Sequence, residues 1–268
     1  MARPETISSA ANPLLKDVRR AMARGSLTSK GWCVAETFHL LAEALRAHSQ
    51  IRVVLAAESV YSAASHLIRR HDGIQLVTVP DRLLQSLSDT ETSQGVMALV
   101  EPPHWNFEDL FGGCPLLVVL AGLQDPGNAG AIIRAAEGFG ATGALFTKGT
   151  VSPYNPKTLR ASAGSLFRVP FLHGTDPVEA RAAIAQHGVK LFAAVPTDPS
   201  APASEPSALN FRQPCGFIIG SEAHGIAPEL RSAAQDVSIR TVAVESLNAA
   251  VAAGILLYEA RRQRDGRP

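Results

Sequence analysis

Three loops carry the side chains with the clearest capacity for chemistry. The first lies in LLVVLAGLQDPGNAGAIIRAA, where an apolar strand pattern leads to Asn128 and then to Arg134 on a predicted helix. Gly127 and Gly130 do not fit the dinucleotide pattern G-x-G-x-x-G, and no Gly-Lys-Ser/Thr follows as in a phosphate-binding P-loop. The loop therefore predicts a helix N-terminus with a polar residue, and Arg134 is either part of a site or a surface cation.

The second loop lies in GFIIGSEAHGIAPEL, where a buried strand pattern ends at Gly220 and a turn follows with Glu222 and Gly225. Glycines accept positive φ angles and leave backbone groups open to a flat ligand. A simple strand-to-helix turn explains the same pattern.

The third segment is IRTVAVESLNAAVAAGILLYEARRQR, which runs from Ile239 to Arg264. Ser246 is predicted to cap the N-terminus of a long helix. Beyond Asn248 the helix is apolar almost all round, which predicts burial in the centre of the fold or in a subunit interface.

The elements around these loops alternate between apolar strands and helices, which predicts an α/β fold with a mainly parallel sheet covered on both faces. Ligand loops in such sheets lie at the carboxyl ends of the strands. Residues 102–113, with Pro102-Pro103 and Gly112-Gly113, form the best linker. The predicted segments are a basic helical segment 1–30, a small α/β domain 31–101 and a larger domain 114–268.

Composition limits the class of protein. Of 268 residues, 46% are hydrophobic and 18% are charged, which favours packed cores. No apolar run approaches the ~20 residues of a membrane span, and no signal-peptide core opens the chain, so we expect a cytoplasmic protein without a membrane partner. Cys33, Cys114 and Cys215 lack metal-site or disulfide spacing, so each is predicted to be a small buried apolar residue.

The order of the three motifs is the strongest signal. NAGAIIRAA, GSEAHG and SLNAAVAAGILLYEARRQ resemble, in order, the three motifs of the SpoU-type (TrmH) RNA ribose methyltransferases of the SPOUT superfamily. RASAGSLFRVP, NPLLKDVRR, GWCVAETFHLLAEAL and LSDTETSQGVMALVEP are also similar to that family, so the resemblance covers nearly the whole chain. The sequence departs from the family pattern at two places. One is Thr37, where family members with the N-terminal domain usually carry glycine, and the other is Arg240-Thr241, where an Ile-Pro-Met-like segment is common.

The resemblance implies a deep trefoil knot in residues 114–268 and an RNA substrate-binding domain in residues 31–101. It also implies S-adenosylmethionine as cofactor, no metal, and a homodimer whose active sites borrow from both subunits. The implied reaction is methyl transfer to a ribose 2′-hydroxyl of ribosomal or transfer RNA, with ribosomal RNA favoured. The implied cofactor residues are Gly220, Ile239 and Leu247, and the implied catalytic cluster is Asn128, Arg134, Glu222, Ser246 and Asn248.

The chemistry of the implied reaction suits such a cluster. A ribose hydroxyl is a weak nucleophile, so it must be polarised and aligned with the methyl group. A free guanidinium cannot readily act as a base, so Arg134 is predicted to stabilise phosphate and alkoxide charge. It could act as a base only if its site strongly shifted the pKa of the guanidinium. Asn128, Ser246 and Asn248 would orient these groups.

The basic N-terminal segment is the predicted RNA contact. Residues 1–30 carry a net charge of +4 while the whole chain carries +1, so the remainder is net acidic. RNA affinity depends on neutralising phosphates, so the helix and one basic residue in the segment RASAGSLFRVP, between the first and second motifs, are the candidates; they are Lys16, Arg19, Arg20, Arg24 and Arg160. A solvated helix that only aids solubility is the alternative.

Two other functions remain open from the sequence. A non-catalytic RNA-binding module could retain the methyltransferase fold without binding S-adenosylmethionine. A nucleotide-dependent oxidoreductase is disfavoured because the acid that would bind the ribose is missing.

Overall fold

The chain folds into two compact units in the computed structural model, which describes residues 5–90, 92–197, 203–221 and 225–266. One unit comprises the chain up to His104 together with Tyr154–Phe167. The other comprises Trp105–Pro153 and the chain from Arg168 onward. The segment predicted as one domain, 114–268, therefore contributes Tyr154–Phe167 to the first unit.

The strands and helices alternate along most of the chain. The strands are β1 (Glu5–Thr6), β2 (Cys33–Glu36), β3 (Gln50–Ala57), β4 (Gln75–Val79), β5 (Val96–Glu101), β6 (Leu116–Ala121), β7 (Gly143–Thr147), β8 (Phe171–Thr175), β9 (Lys190–Ala194), β10 (Cys215–Gly220) and β11 (Ala234–Val237). The helices are α1 (Pro13–Arg24), α2 (Phe38–Arg46), α3 (Tyr61–Ile68), α4 (Asp81–Gln85), α5 (Pro126–Gly138), α6 (Pro156–Ser162), α7 (Pro177–Gln186), α8 (Pro228–Arg231) and α9 (Ala249–Arg264).

The first unit is built on a mixed sheet of order β1-β4-β3-β5-β2. β1, β4 and β3 are parallel, and β5 runs antiparallel to β3 and β2. Helix α1 packs on this sheet through Leu15, Val18, Ala21 and Met22, while its basic side chains face outward. Asn12 caps its start and Gly25, at φ 59°, ends it, because that backbone conformation favours glycine.

The second unit is built on a six-stranded sheet of order β11-β9-β10-β6-β7-β8, in which every pairing is parallel. The central strands β6 and β10 are apolar and almost entirely buried, as strands covered on both faces must be. The predicted α/β class with a mainly parallel sheet is thus confirmed. The trefoil knot stays a prediction.

The errors in the predicted elements fall at the edges of the sheets. The apolar pattern of the sequence predicts a helix at Ile226–Ala234 and a strand at Val237–Arg240. Both predictions are wrong in their bounds, because the helix is only α8 and β11 is Ala234–Val237. β1 and β8 were not predicted. All three are edge strands, and an edge strand can carry solvent-facing polar residues that interrupt the apolar pattern.

The cysteines follow the prediction at two of three positions. Cys33 and Cys215 are buried, and burial raises the pKa of the Cys33 thiol to about 12. Burial also raises the pKa of the Cys215 thiol. Cys114 is exposed, so the prediction that it is buried is wrong. Burial disfavours the thiolate form at both positions, so neither cysteine is expected to act as a nucleophile.

Thr37 joins β2 to α2 with φ 107°, a conformation that strains a β-branched residue. Its hydroxyl oxygen accepts a hydrogen bond from the Leu40 backbone N–H at 3.2 Å and so caps α2. A glycine at this position would adopt the same backbone without strain. The threonine therefore combines a cap with local strain.

Within the described residues, no helix combines the length and the apolar character that crossing a bilayer demands.

Candidate functional site

A cavity of about 470 Å³ opens where β9, β10 and β11 end, at Ala194, Gly220 and Val237. This is the edge of a parallel sheet at which ligands bind, and the volume lies within the ~300–1,000 Å³ of small-molecule sites. Apolar side chains from the second and third motifs make much of its wall; they are Ile219, Ile226, Ile239, Leu247, Ala252 and Leu256.

All three predicted cofactor residues line this one cavity. Gly220 comes from the end of β10, whereas Ile239 and Leu247 come from the segment between β11 and α9. The fold thus brings together residues that lie up to 27 positions apart in sequence. Their role in binding a cofactor stays a prediction.

Gly220 cannot carry a side chain in this structure. A Cβ atom there would lie 2.8 Å from Ile226 Cγ1 and 3.0 Å from the Gly225 carbonyl carbon and oxygen. The close approach arises because Ser221 and Gly225 exchange backbone hydrogen bonds of 3.1 and 2.9 Å, which fold the chain back over the strand end. Gly225 itself has φ 67°, in the left-handed region. Gly220 therefore serves close backbone packing at the cavity, and Gly225 serves the left-handed backbone conformation that follows.

Asn128 and Asn248 meet although they lie 120 residues apart. The Asn248 amide Nδ2 donates to Asn128 Oδ1 at 2.9 Å, while Asn248 Oδ1 accepts from the backbone N–H of Ala250 at 2.9 Å. Asn248 is therefore the N-cap of α9, and the prediction that Ser246 caps this helix is wrong. An asparagine side chain can cap the helix and still donate to a neighbour, because it has both an acceptor and donors.

Asp125 holds the backbone of Asn128 in place. It caps α5 and accepts a 2.6 Å hydrogen bond from the Asn128 backbone N–H, with Pro126 at the first helical position. Helices α5 and α9 pack against each other. The paired asparagines thus hold the N-termini of two packed helices together beside the cavity.

The other catalytic candidates are placed differently. Ser246 lines the cavity, next to Leu247. Arg134 lies on the exposed side of α5 and is not among the described residues that line the cavity. Glu222 lies outside the described residues. Within one chain, Ser246 therefore lines the cavity, and the hydrogen-bonded Asn128–Asn248 pair lies beside it, because the neighbours of Asn248 in sequence, Leu247 and Ala249, line it. Arg134 does not line it.

The four basic candidates of the N-terminal segment are all exposed on α1. Arg20 forms an ion pair with Asp17, which also accepts hydrogen bonds from the Ser29 backbone and hydroxyl. The other three form no ion pair with any described residue; they are Lys16, Arg19 and Arg24. These three have charge available for an anionic partner.

Arg160 has partners within the first unit. Its guanidinium lies 3.3 Å from Glu36 Oε2 and 2.9 Å from Asp89 Oδ2. Glu36 is 2% exposed and also accepts hydrogen bonds from Thr90 and Ser93. A buried carboxylate needs such compensation, so Arg160 has a structural role that the sequence pattern did not reveal.

Sequence reasoning missed part of the cavity wall. Val195, Pro196 and Thr197, which follow β9, line the cavity, and the Thr197 and Ser238 hydroxyls lie 2.9 Å apart. The position of these residues at the carboxyl end of a strand was the available signal. Glu245 and Arg231 also line the cavity. No group of three or more potential metal-ligating side chains occurs among the described residues.

A parallel α/β unit with a ligand cavity at its strand ends defines the class of protein, and comparison with known proteins identifies the family. Residues 115–258 match the SpoU rRNA Methylase family, and residues 12–98 match the MRM3-like substrate binding domain. The first match covers more than half of the chain. The chain belongs to the SpoU rRNA methylase family.

Full-length relatives agree with this assignment. The chain is 32% identical to an uncharacterized tRNA/rRNA methyltransferase of Synechocystis, over 97% of this chain and 94% of that protein. It is 28% identical to the 23S rRNA (guanosine(2553)-2′-O)-methyltransferase RlmP of Bacillus subtilis, over 95% and 98%. The crystal structure of the SpoU methyltransferase AviRb from Streptomyces viridochromogenes in complex with AdoMet superposes with a TM-score of 0.86 at 26% identity, over 96% and 100%.

Proposed function

We propose that this chain methylates a ribose 2′-hydroxyl of ribosomal RNA with S-adenosylmethionine as the methyl donor. The observation that carries the proposal is the convergence of the three motifs. Gly220, Ile239 and Leu247 line one cavity, and Asn248, which follows directly, is hydrogen-bonded to Asn128 of the first motif. The named 2′-O-methyltransferase activity of the Bacillus subtilis relative supports the same reaction.

The cavity suits S-adenosylmethionine. It combines an apolar wall for a flat base with backbone groups exposed at Gly220 and hydroxyls at Thr197, Ser221 and Ser246. When bound, the cofactor supplies a methyl group on a positively charged sulfur, which is a good leaving group without a metal.

The residues around the cavity would position the RNA hydroxyl. Asn128 and Asn248 hold the two helix N-termini in register, and Ser246 offers a hydroxyl at the cavity. Arg134 would stabilise the charge that develops on the attacking oxygen and on the adjacent phosphate, because its planar fork can donate two parallel hydrogen bonds. Glu222 completes the proposed catalytic cluster.

The proposal includes an active site shared between two copies of the chain. Arg134 does not reach the cavity of its own chain, so a partner subunit would supply it. An apolar stripe on α9 offers a surface for that partner: Val251, Ile255 and Tyr258 are 50%, 38% and 55% exposed. Their spacing places them on one helix face. Leu256, by contrast, is buried within the chain.

Dimerisation can be tested at this stripe. Ile255→Arg is expected to convert the proposed dimer into a monomer, because an unpaired charge in an apolar interface costs several kcal/mol. Analytical ultracentrifugation measures the result. Ala182→Arg, which adds the same charge to an exposed position on α7, is expected to leave the dimer intact. A native chain that sediments as an active monomer would contradict the shared site.

The proposal assigns residues 31–101, together with the basic helix before them, to RNA binding and residues 114–268 to methyl transfer, with 102–113 as the linker. Since Arg160 is held by Glu36 and Asp89, RNA binding by the basic residues would rest on α1. A cytoplasmic location follows from this proposed role.

Removing two charges from α1 tests the RNA contact. The double variant Arg19→Gln/Arg24→Gln is expected to reduce the slope of log affinity against log salt by about 1.4–1.8, as expected for the loss of two phosphate contacts. Arg20→Gln should have a smaller effect because Asp17 already neutralises that charge. Affinity for ribosomal RNA across a salt series measures both. Arg181→Gln on α7 is the control and should leave the slope unchanged. If the double variant also leaves the slope unchanged, α1 does not contact RNA phosphates.

Calorimetric titration with S-adenosylmethionine and with NAD separates the proposal from its rivals. We expect binding of the first and none of the second. Failure to bind either, with RNA binding retained, would support a non-catalytic RNA-binding module instead.

A further inference from the structure

Glu245 is the one acidic side chain among the described residues that line the cofactor cavity. It lies in the segment between β11 and α9, immediately before Ser246 and Leu247, and it is exposed. It forms no ion pair or hydrogen bond through its side chain with any described residue. No cation among the described residues therefore pairs with its charge at the cavity.

The basic residue at this cavity does not offset that charge. Arg231 is the one cation among the described lining residues, and its Nη2 atom donates to Asp236 Oδ2 at 2.5 Å. Asp236 thus neutralises Arg231 locally. The remaining polar lining groups are uncharged hydroxyls on Thr197, Ser221 and Ser246. The described lining therefore carries one uncompensated negative charge, which favours a cationic ligand.

We propose that Glu245 makes the cavity selective for the methylated form of the cofactor over its demethylated product. This inference rests on the proposed function. S-adenosylmethionine carries one net positive charge, because its sulfonium and ammonium groups outweigh its carboxylate. In methyl transfer the carbon–sulfur bond breaks, its electron pair stays on sulfur, the methyl group joins the 2′-oxygen, and the hydroxyl proton leaves. S-adenosylhomocysteine is therefore uncharged overall, and the attraction to Glu245 falls.

The consequence is easier exchange of product for substrate. An exposed carboxylate acts through a high effective dielectric and is screened by salt, so its contribution is modest. We expect Glu245 to favour the sulfonium form by about fivefold at low ionic strength. Inhibition by the product, S-adenosylhomocysteine, is then weaker by the same factor.

Glu245→Gln keeps the shape of the side chain and removes its charge. Calorimetric titration of the full-length variant is expected to show about fivefold weaker binding of S-adenosylmethionine and of sinefungin, a cofactor analogue with an amine in place of the sulfonium methyl. Binding of S-adenosylhomocysteine should change by less than about twofold. Glu179→Gln, which removes an exposed charge from α7, should change none of the three affinities.

Salt gives a second readout. In the native protein the preference for S-adenosylmethionine over S-adenosylhomocysteine should shrink between low salt and about 0.5 M salt, and in Glu245→Gln it should not. Equal weakening of all ligands by the substitution, or no change in any of them, would overturn the inference. A native protein that binds neither form of the cofactor would instead overturn the proposed function, and this inference with it.

Discussion

Arg134→Ala is expected to lower the rate of ribose methylation by at least about 10²-fold, the usual effect of removing one donor that stabilises an oxyanion. Affinity for S-adenosylmethionine should stay within about twofold of native, because Arg134 is exposed on α5 and is not among the described residues that line the cofactor cavity. Single-turnover methylation of ribosomal RNA and cofactor titration measure the two effects separately.

Arg134→Lys sharpens this test. It keeps the positive charge but replaces the planar fork by a single ammonium, which cannot donate two parallel hydrogen bonds. We expect a loss of activity close to that of Arg134→Ala. Near-normal methylation by the lysine variant would contradict the proposed role and would leave Arg134 as a simple electrostatic contact.

Gly220→Ala is expected to weaken binding of S-adenosylmethionine by at least about tenfold, because a mis-shaped pocket loses well over 1 kcal/mol of contact energy. The added methyl group would meet Gly225 backbone atoms at 3.0 Å and Ile226 at 2.8 Å. The turn that closes the strand end would have to move, and that turn forms the cavity wall. Cofactor titration and thermal unfolding measure the effect.

Gly138→Ala provides the matched control. Gly138 lies at the end of α5, and a Cβ atom there would meet nothing within 4 Å. Alanine is also a better helix former than glycine, so this variant should keep its cofactor affinity and lose no stability. Unchanged cofactor affinity in Gly220→Ala would contradict the close packing described for the second motif.

The sequence predicted the interior of the fold well because its central strands are short apolar runs. Leu116–Ala121, for example, is a continuous apolar run in the sequence and is also the extent of β6. The edge strands β8 and β11 were missed or misplaced, since His173, Gln235 and Asp236 break the apolar pattern where one side of the strand is open to solvent. Such strands are defined by their pairing partner rather than by their own residues.

The sequence indicated which motif residues lie at the cavity. It did not indicate which side chains form hydrogen bonds with one another. Gly220, Ile239 and Leu247, the implied cofactor residues, line one cavity. The cap of α9 was assigned to Ser246 on propensity alone, but Asn248 takes it because its amide can also donate to Asn128. That pairing depends on the packing of α5 against α9, which no local pattern contains.

Arg160 illustrates the same limit for charged residues. A basic residue in a family motif suggests a contact with RNA, yet its partners within the fold, Glu36 and Asp89, lie more than 70 positions away in sequence. Burial of Glu36 could not be read from the sequence, because a glutamate at a strand end is usually solvated.

The most direct test of the proposed reaction is to incubate the native protein with unmodified ribosomal RNA and S-adenosylmethionine labelled in its methyl group, followed by complete alkaline hydrolysis. A 2′-O-methylated ribose blocks cleavage of the adjacent phosphodiester, so we expect the label in alkali-resistant dinucleotides, which Arg134→Ala should form at least about 10²-fold more slowly. Label in mononucleotides would show methylation of a base, and no label in any ribosomal RNA would show no transfer; either result would contradict the assignment as a ribosomal RNA ribose methyltransferase.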